Sequence, residues 1–179
     1  MVELGVERLL TSRIDRLTGD RIGLITNPSG VDSELRSTVD LLAENEHVDL
    51  CRLFGPEHGV RGRASAGEHV ESGVDGPTGL PVSSLYGETR RPTGEMLADI
   101  DTLVYDMQDL GVRYYTLAYT LAHAIEGAAE HDTRVVVLDR FAFEVGLPGE
   151  VHDVDQHVRL VEVREELIAE APALVRAGD

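Results

Sequence analysis

Glu57 and His58 stand side by side in the segment LFGPEHG, residues 53–59. A carboxylate next to an imidazole can give, take or relay a proton near neutral pH, which is the work of general acid and base catalysis. The run before them, VDLCRLF at residues 48–54, is apolar and β-branched enough for an interior strand. Gly55 and Pro56 then break it, because proline has no N–H for a ladder and glycine permits a sharp turn. The pair is therefore expected at the carboxyl end of a strand, where parallel α/β sheets bind ligands. An ordinary turn with a solvated Glu and His is the competing reading of these two residues taken alone.

Three more strand ends carry groups of the same kind. RIGLIT (21–26) runs into Asn27; TLVYDM (102–107) contains Asp106 and is followed by Gln108 and Asp109; RVVVL (134–138) is followed by Asp139 and Arg140. Convergence of donors, acceptors and proton-transfer groups at four strand ends is what a ligand cleft requires. For Asp106, Asp109 and Arg113 an internal ion-pair network capping the sheet is the alternative.

The elements that must position these groups follow from periodicity. Val6, Leu9, Leu10, Ile14 and Leu17 predict an opening amphipathic helix stopped by Gly19, and Val39, Leu41 and Leu42 a second helix over residues 35–44. Pro92 opens a third, and residues 113–131, with Tyr115, Tyr119, Leu121 and Ile125, a long fourth. Between residues 55 and 91 the chain is rich in Gly, Ser, Thr and Pro, a connection long enough to be functional or disordered; Arg61 and Tyr86 lie in it. The expected fold is a three-layer α/β domain, Rossmann-like, with a four-stranded, mainly parallel sheet in the order 2-1-3-4. Neither GxGxxG nor a Walker A motif follows the first strand, so no nucleotide cofactor is implied. His69 has no partner at metal-ligand spacing, so no metal is implied either.

Composition narrows the class. Sixteen basic against 33 acidic residues leave a net charge of −17 over 179 residues, which argues against nucleic acid and anionic membrane surfaces as partners. Every basic residue is arginine. An acidic surface spread along the chain suits high salt, where screening makes it tolerable, while a GC-rich genome would also exchange Lys for Arg. Cys51 is the single cysteine, so no disulfide framework exists. The acidic N-terminal residues carry no long apolar run, which points to a cytoplasmic protein.

The segments GLITNPSGVD, LFGPEHGVRG, GLPVSSLYGETRRPT, VYDMQDLGVRYYT and VVVLDR, in that order, resemble the NamZ-type exo-β-N-acetylmuramidases, a glycoside hydrolase family. The resemblance covers about residues 4–140. It implies a Rossmann-like N-terminal domain at residues 1–142, a site in a cleft against a second α/β domain, and removal of terminal N-acetylmuramic acid from peptidoglycan fragments. It also makes Glu57 of the PEHG segment the leading catalytic carboxylate. On that reading His58 and Asn27 orient Glu57 and the sugar, and Asp106 or Asp109 is the second carboxylate. Arg113 and Arg140 grip the substrate's own carboxylate, and Arg61, Tyr86, Gln108, Tyr115 and Asp139 complete the substrate-binding set. With one strand between them, Glu57 and Asp106 have backbones roughly 10 Å apart. Inward side chains bring that toward the ~6.5–9.5 Å of an inverting pair.

Past residue 140 the resemblance stops, and the chain continues with FAFEVGLPGE and an acidic tail, residues 143–179, expected to be a replacement helix or unfolded. A truncated enzyme and a non-catalytic remnant that binds sugar or a partner are the two readings. The fourth strand is expected at an open sheet edge, which favours a homo-oligomer unless the tail covers it.

Overall fold

The computed structural model describes residues 4–65, 67–110 and 115–138, together with the backbone of residues 160–163. In chain order the elements are α1 (Gly5–Ser12), a 3-10 turn at Ile14–Arg16, β1 (Arg21–Thr26), α2 (Thr38–Ala43), β2 (Asp49–Gly55), β3 (Gly73–Val74) and β4 (Pro81–Ser84). Then come α3 (Gly94–Leu97), β5 (Thr102–Asp106), α4 (Leu117–Glu130), β6 (Arg134–Leu138) and β7 (Leu160–Val163).

Among the described residues seven strands form one sheet, ordered β3-β4-β2-β1-β5-β6-β7. The four parallel strands at its centre, β2-β1-β5-β6, stand in the expected order. The sheet is nevertheless wider than the expected four strands. β4 joins parallel to β2, β3 antiparallel to β4, and β7 antiparallel to β6. Two of these additions come from the 55–91 connection, which is partly sheet. The third comes from the acidic tail, where Leu160–Val163 is a strand and not a helix. Because β7 covers β6, the open edge expected to drive association is paired.

The central strands are buried on both faces, so their side chains read as continuous apolar runs. β5 is buried at every position and β1 at all but its first. On one face Ile22, Leu24, Leu53, Val104 and Val136 pack with Val6 and Leu9 of α1 and Val39 and Leu42 of α2. On the other, Ile25, Phe54, Leu103, Tyr105 and Val135 pack with Leu97 of α3 and Leu117, Ala124 and Ala128 of α4. This is the three-layer arrangement.

Several helices start or stop short of their periodic pattern: α2, expected over residues 35–44, runs Thr38–Ala43, because Leu35 is left-handed with φ 63°. The opening helix breaks at Arg13, whose φ of −135° ends α1 before the 3-10 turn. The long helix begins at Leu117 rather than near Arg113, which lies outside the described residues. α4 comes close enough to the segment before α3 that a Cβ on Gly127 would stand 2.6 Å from Pro92 O.

Candidate active site

β2 delivers Glu57. Its last residue, Gly55, meets the following turn backbone to backbone, since a Cβ there would lie 3.3 Å from Gly59 Cα and from Val60 N. The chain turns with Gly59 N donating to Pro56 O at 2.8 Å, and His58 and Gly59 are both left-handed, with φ of 71° and 73°. That region is uncommon for a residue with a Cβ. The side chain helps to hold it there, with His58 Nδ1 3.0 Å from Ala64 O. A carbonyl only accepts, so Nδ1 carries the proton and donates. His58 is exposed and its ring bond goes to Ala64. It thus orders the loop, not Glu57 as expected.

Glu57 is half-buried and both of its carboxylate oxygens are held. Oε1 accepts from Gly67 N at 3.1 Å, and Oε2 from Thr116 Oγ1 at 3.2 Å. One donor belongs to the loop after β2, the other to the residue that precedes α4. Neither is in the expected site. A helix drawn from Arg113 hides Thr116, although threonine just before an apolar-periodic run is a helix-start signal. The Gly67 N–H leaves no trace in sequence.

The ends of β1 and β5 are tied together. Asn27 Oδ1 accepts from Ser29 N at 2.9 Å and from Ser29 Oγ at 2.6 Å, and Ser29 Oγ in turn accepts from Gln108 N at 2.9 Å. Asn27 and Gln108 are thus brought together through Ser29. The Asn27 amide nitrogen keeps its two donors, with no hydrogen bond to any described residue. Asp106 is placed otherwise than expected. It is fully buried, and its carboxylate accepts from Thr38 Oγ1 at the start of α2 while its carbonyl accepts from Thr26 Oγ1 at 2.7 Å. A carboxylate sealed under α2 is not open to a sugar, so Glu57 and Asp106 do not form the expected pair in this structure. Asp109 is also buried and accepts from Ala118 N at 2.9 Å, capping α4. The neighbouring Tyr105 is buried too, and its phenol donates to Leu117 O at 2.9 Å. Burial, then the charges of Asp109 and Asp106, push that phenol well above its usual range.

Arg61 is committed elsewhere. Its guanidinium spans two carboxylates, reaching Asp75 Oδ1 and Oδ2 at 3.0 and 2.9 Å and Asp40 Oδ2 and Oδ1 at 3.2 and 2.7 Å. These bonds fasten the loop before β4 to α2, so in this structure Arg61 acts as a structural tie. The hydrogen bonds from Arg61, reinforced by Thr78, hold the Asp75 carboxyl at about 2, against an ordinary 3.8. A carboxyl lowered by folding contributes its stability above its unfolded value and loses it as pH falls through the folded one. Unfolding in urea is expected to show Asp75 contributing about 2 kcal/mol at pH 5 and almost none at pH 2. The gap between wild type and Asp75→Asn should close over that interval, and a gap independent of pH would contradict the assignment.

Tyr86, half-buried after β4, carries the Arg90 guanidinium 4.7 Å above its ring. Tyr115 packs against the α4 face of the core. Arg113, Asp139 and Arg140 lie outside the described residues. No group of three or more His, Cys, Asp or Glu side chains able to hold a metal ion occurs among the described residues, and no described helix is long and apolar enough to cross a membrane.

Residues 22–159 match the family model described as exo-β-N-acetylmuramidase NamZ, N-terminal. The chain is 53% identical over 139 residues to the peptidoglycan β-N-acetylmuramidase NamZ of Bacillus subtilis strain 168, covering 78% of this chain and 34% of that protein. Among solved structures it is similar to two DUF1343 family proteins of Bacteroides fragilis NCTC 9343. One has a TM-score of 0.71 and 52% identity, and the other a TM-score of 0.63 and 29% identity. Each alignment covers 78% of this chain and 34% or 35% of the other. The chain therefore spans about a third of the length of the relatives it matches.

Proposed function

The chain belongs to the NamZ exo-β-N-acetylmuramidase family, and from that premise we propose that its Rossmann-like domain carries the proton-transfer group of a glycosidase site acting on terminal N-acetylmuramic acid in peptidoglycan fragments. The observation that carries this reading is Glu57, a half-buried carboxylate at the end of an inner parallel strand, with each oxygen fixed by a separate neutral donor. Hydrolysis breaks the bond from the anomeric carbon to the leaving oxygen. One carboxyl group gives that oxygen a proton, while a base takes a proton from the water that adds to the carbon. Glu57 serves as the acid or base of this exchange. The Asn27 amide, facing the same strand ends, donates to the sugar, and Gln108 lines the β1–β5 side. Arg113 and Arg140 remain the proposed ligands for the sugar's carboxylate.

The burial of Asp106 supports a second reading for the chain by itself, since two carboxyl groups are the usual requirement and the described residues offer one of the expected pair. That reading is sugar binding without cleavage. A chromogenic N-acetylmuramic acid glycoside separates the two. Colour released by the purified chain is the expected result; binding of N-acetylmuramic acid in a titration without release would establish the second reading in its place.

A further inference from the structure

We infer that Thr116 is a positioning residue for Glu57, and that Asp109 frees it for this task by capping α4 in its stead. The inference rests on Glu57 being the proton-transfer group. A threonine just before a helix ordinarily accepts a hydrogen bond from the N–H of the second or third helical residue, with its own backbone extended. Thr116 does neither. Its side chain makes no capping bond, and its backbone, at φ −100° and ψ −1°, is not extended. The N–H of Ala118, the second residue of α4, donates to Asp109 Oδ2 at 2.9 Å instead. The Thr116 hydroxyl is thereby released to donate to Glu57 Oε2 at 3.2 Å, across 59 residues of sequence.

The two anchors of Glu57 differ in kind. Gly67 N belongs to an exposed loop, and Gly67 itself is left-handed with φ 72° and open space around it. Thr116 stands at the head of a 14-residue helix whose inner face, Leu117, Ala124 and Ala128, is part of the core. Thr116 thus sets the carboxylate against the rigid body of the domain, and the loop follows. Precise placement of a transferring group carries much of the rate, and an error near 1 Å costs up to about a hundredfold.

The test measures kcat and KM for release of N-acetylmuramic acid from its chromogenic glycoside by wild type, Thr116→Val, Thr116→Ser, Glu57→Gln and the Thr116→Val/Glu57→Gln double variant. Thr116→Val keeps the shape and removes the donor. The expected result is a kcat lowered about ten- to a hundredfold with KM within about twofold, restored to near wild type in Thr116→Ser, and no further loss when Val is added to Glu57→Gln. Two outcomes overturn the inference while leaving the role of Glu57 standing. In one, Thr116→Val turns over at the wild-type rate although Glu57→Gln is inactive; in the other, Thr116→Ser is as slow as Thr116→Val. Full activity in Glu57→Gln, or none in wild type, overturns the reading of Glu57 and this inference with it. Thermal unfolding of each variant within about 2 °C of wild type excludes a folding defect as the cause.

Discussion

Replacement of Glu57 by glutamine is expected to lower the rate of glycoside cleavage by about 10²–10⁴-fold, the range in which a general acid or base contributes. The substitution is close to isosteric. A glutamine amide oxygen can still accept from Gly67 N, and its amide nitrogen can donate to the Thr116 hydroxyl, which accepts as well as donates. The fold and its hydrogen-bond count are therefore kept, and what is lost is the capacity to give or take a proton. Rates across pH for wild type and variant, together with unfolding temperatures, check this. A variant that unfolds with wild type yet cleaves at the same rate would remove Glu57 from the chemistry. Asp106→Asn should behave differently: with its carboxylate bonded to Thr38 beneath α2, its effect belongs to unfolding temperature first.

The largest expected effect on stability is at Gly30. This residue sits where the loop after β1 crosses the end of β5, and a Cβ added there would stand 2.2 Å from Thr26 Oγ1 and 2.8 Å from Asp106 O. Neither neighbour can yield easily. The Thr26 hydroxyl is buried and bonded to the Asp106 carbonyl at 2.7 Å, and that carbonyl is the end of a strand paired with β1. Gly30 is itself pinned, its N–H donating to Asn27 O and its carbonyl accepting from Thr38 N, each at 2.9 Å. Gly30→Ala should cost about 3 kcal/mol, as overpacking of a rigid site does. In a chain of this size that lowers the unfolding temperature by about 6–12 °C. A variant melting within about 2 °C of wild type would mean that the β1 loop is softer than its bonds suggest.

Much of the central sheet is legible in the sequence because it is buried on both sides. RIGLIT, TLVYD and RVVVL give long apolar runs for the same reason that their residues are inaccessible to water. The outer strands do not announce themselves this way. In β4 the buried residues are Ser83 and Ser84, and their hydroxyls take part in hydrogen bonds with Arg52 and with Tyr86 N. Nothing in the type of those residues says strand. β7 pairs antiparallel with β6, more than 20 residues further along the chain.

The site divides in the same fashion. The placement of Glu57 just past the end of β2 is legible because the chemistry of Gly, Pro and a preceding apolar run is local. The fates of Arg61 and Asp106 are not, since an arginine or aspartate has the same letter whether it meets a ligand or a partner in the fold. Here the partners, Asp75, Asp40 and Thr38, lie 14, 21 and 68 residues away. Thr116 is hidden likewise, 59 residues from Glu57.

The pairing of β1 with β5 bears on how the chain is made. Thr26 and Asp106, bonded at the end of that ladder, are 80 residues apart. A ribosome adding about 5–20 residues per second needs about 4–16 s to pass from one to the other. During that interval β1 can already lie beside β2, only 28 residues further along at Arg21 and Asp49, but its other side has no strand to meet. Leu24 and Ile25, both wholly buried in the finished domain, sit on this half-paired strand while the nascent chain waits. Such an edge can accept a strand from a neighbouring polypeptide as readily as its own, so the emerging chain should be most dependent on chaperones, and most prone to aggregate on crowded polysomes, before residue 106 leaves the exit tunnel.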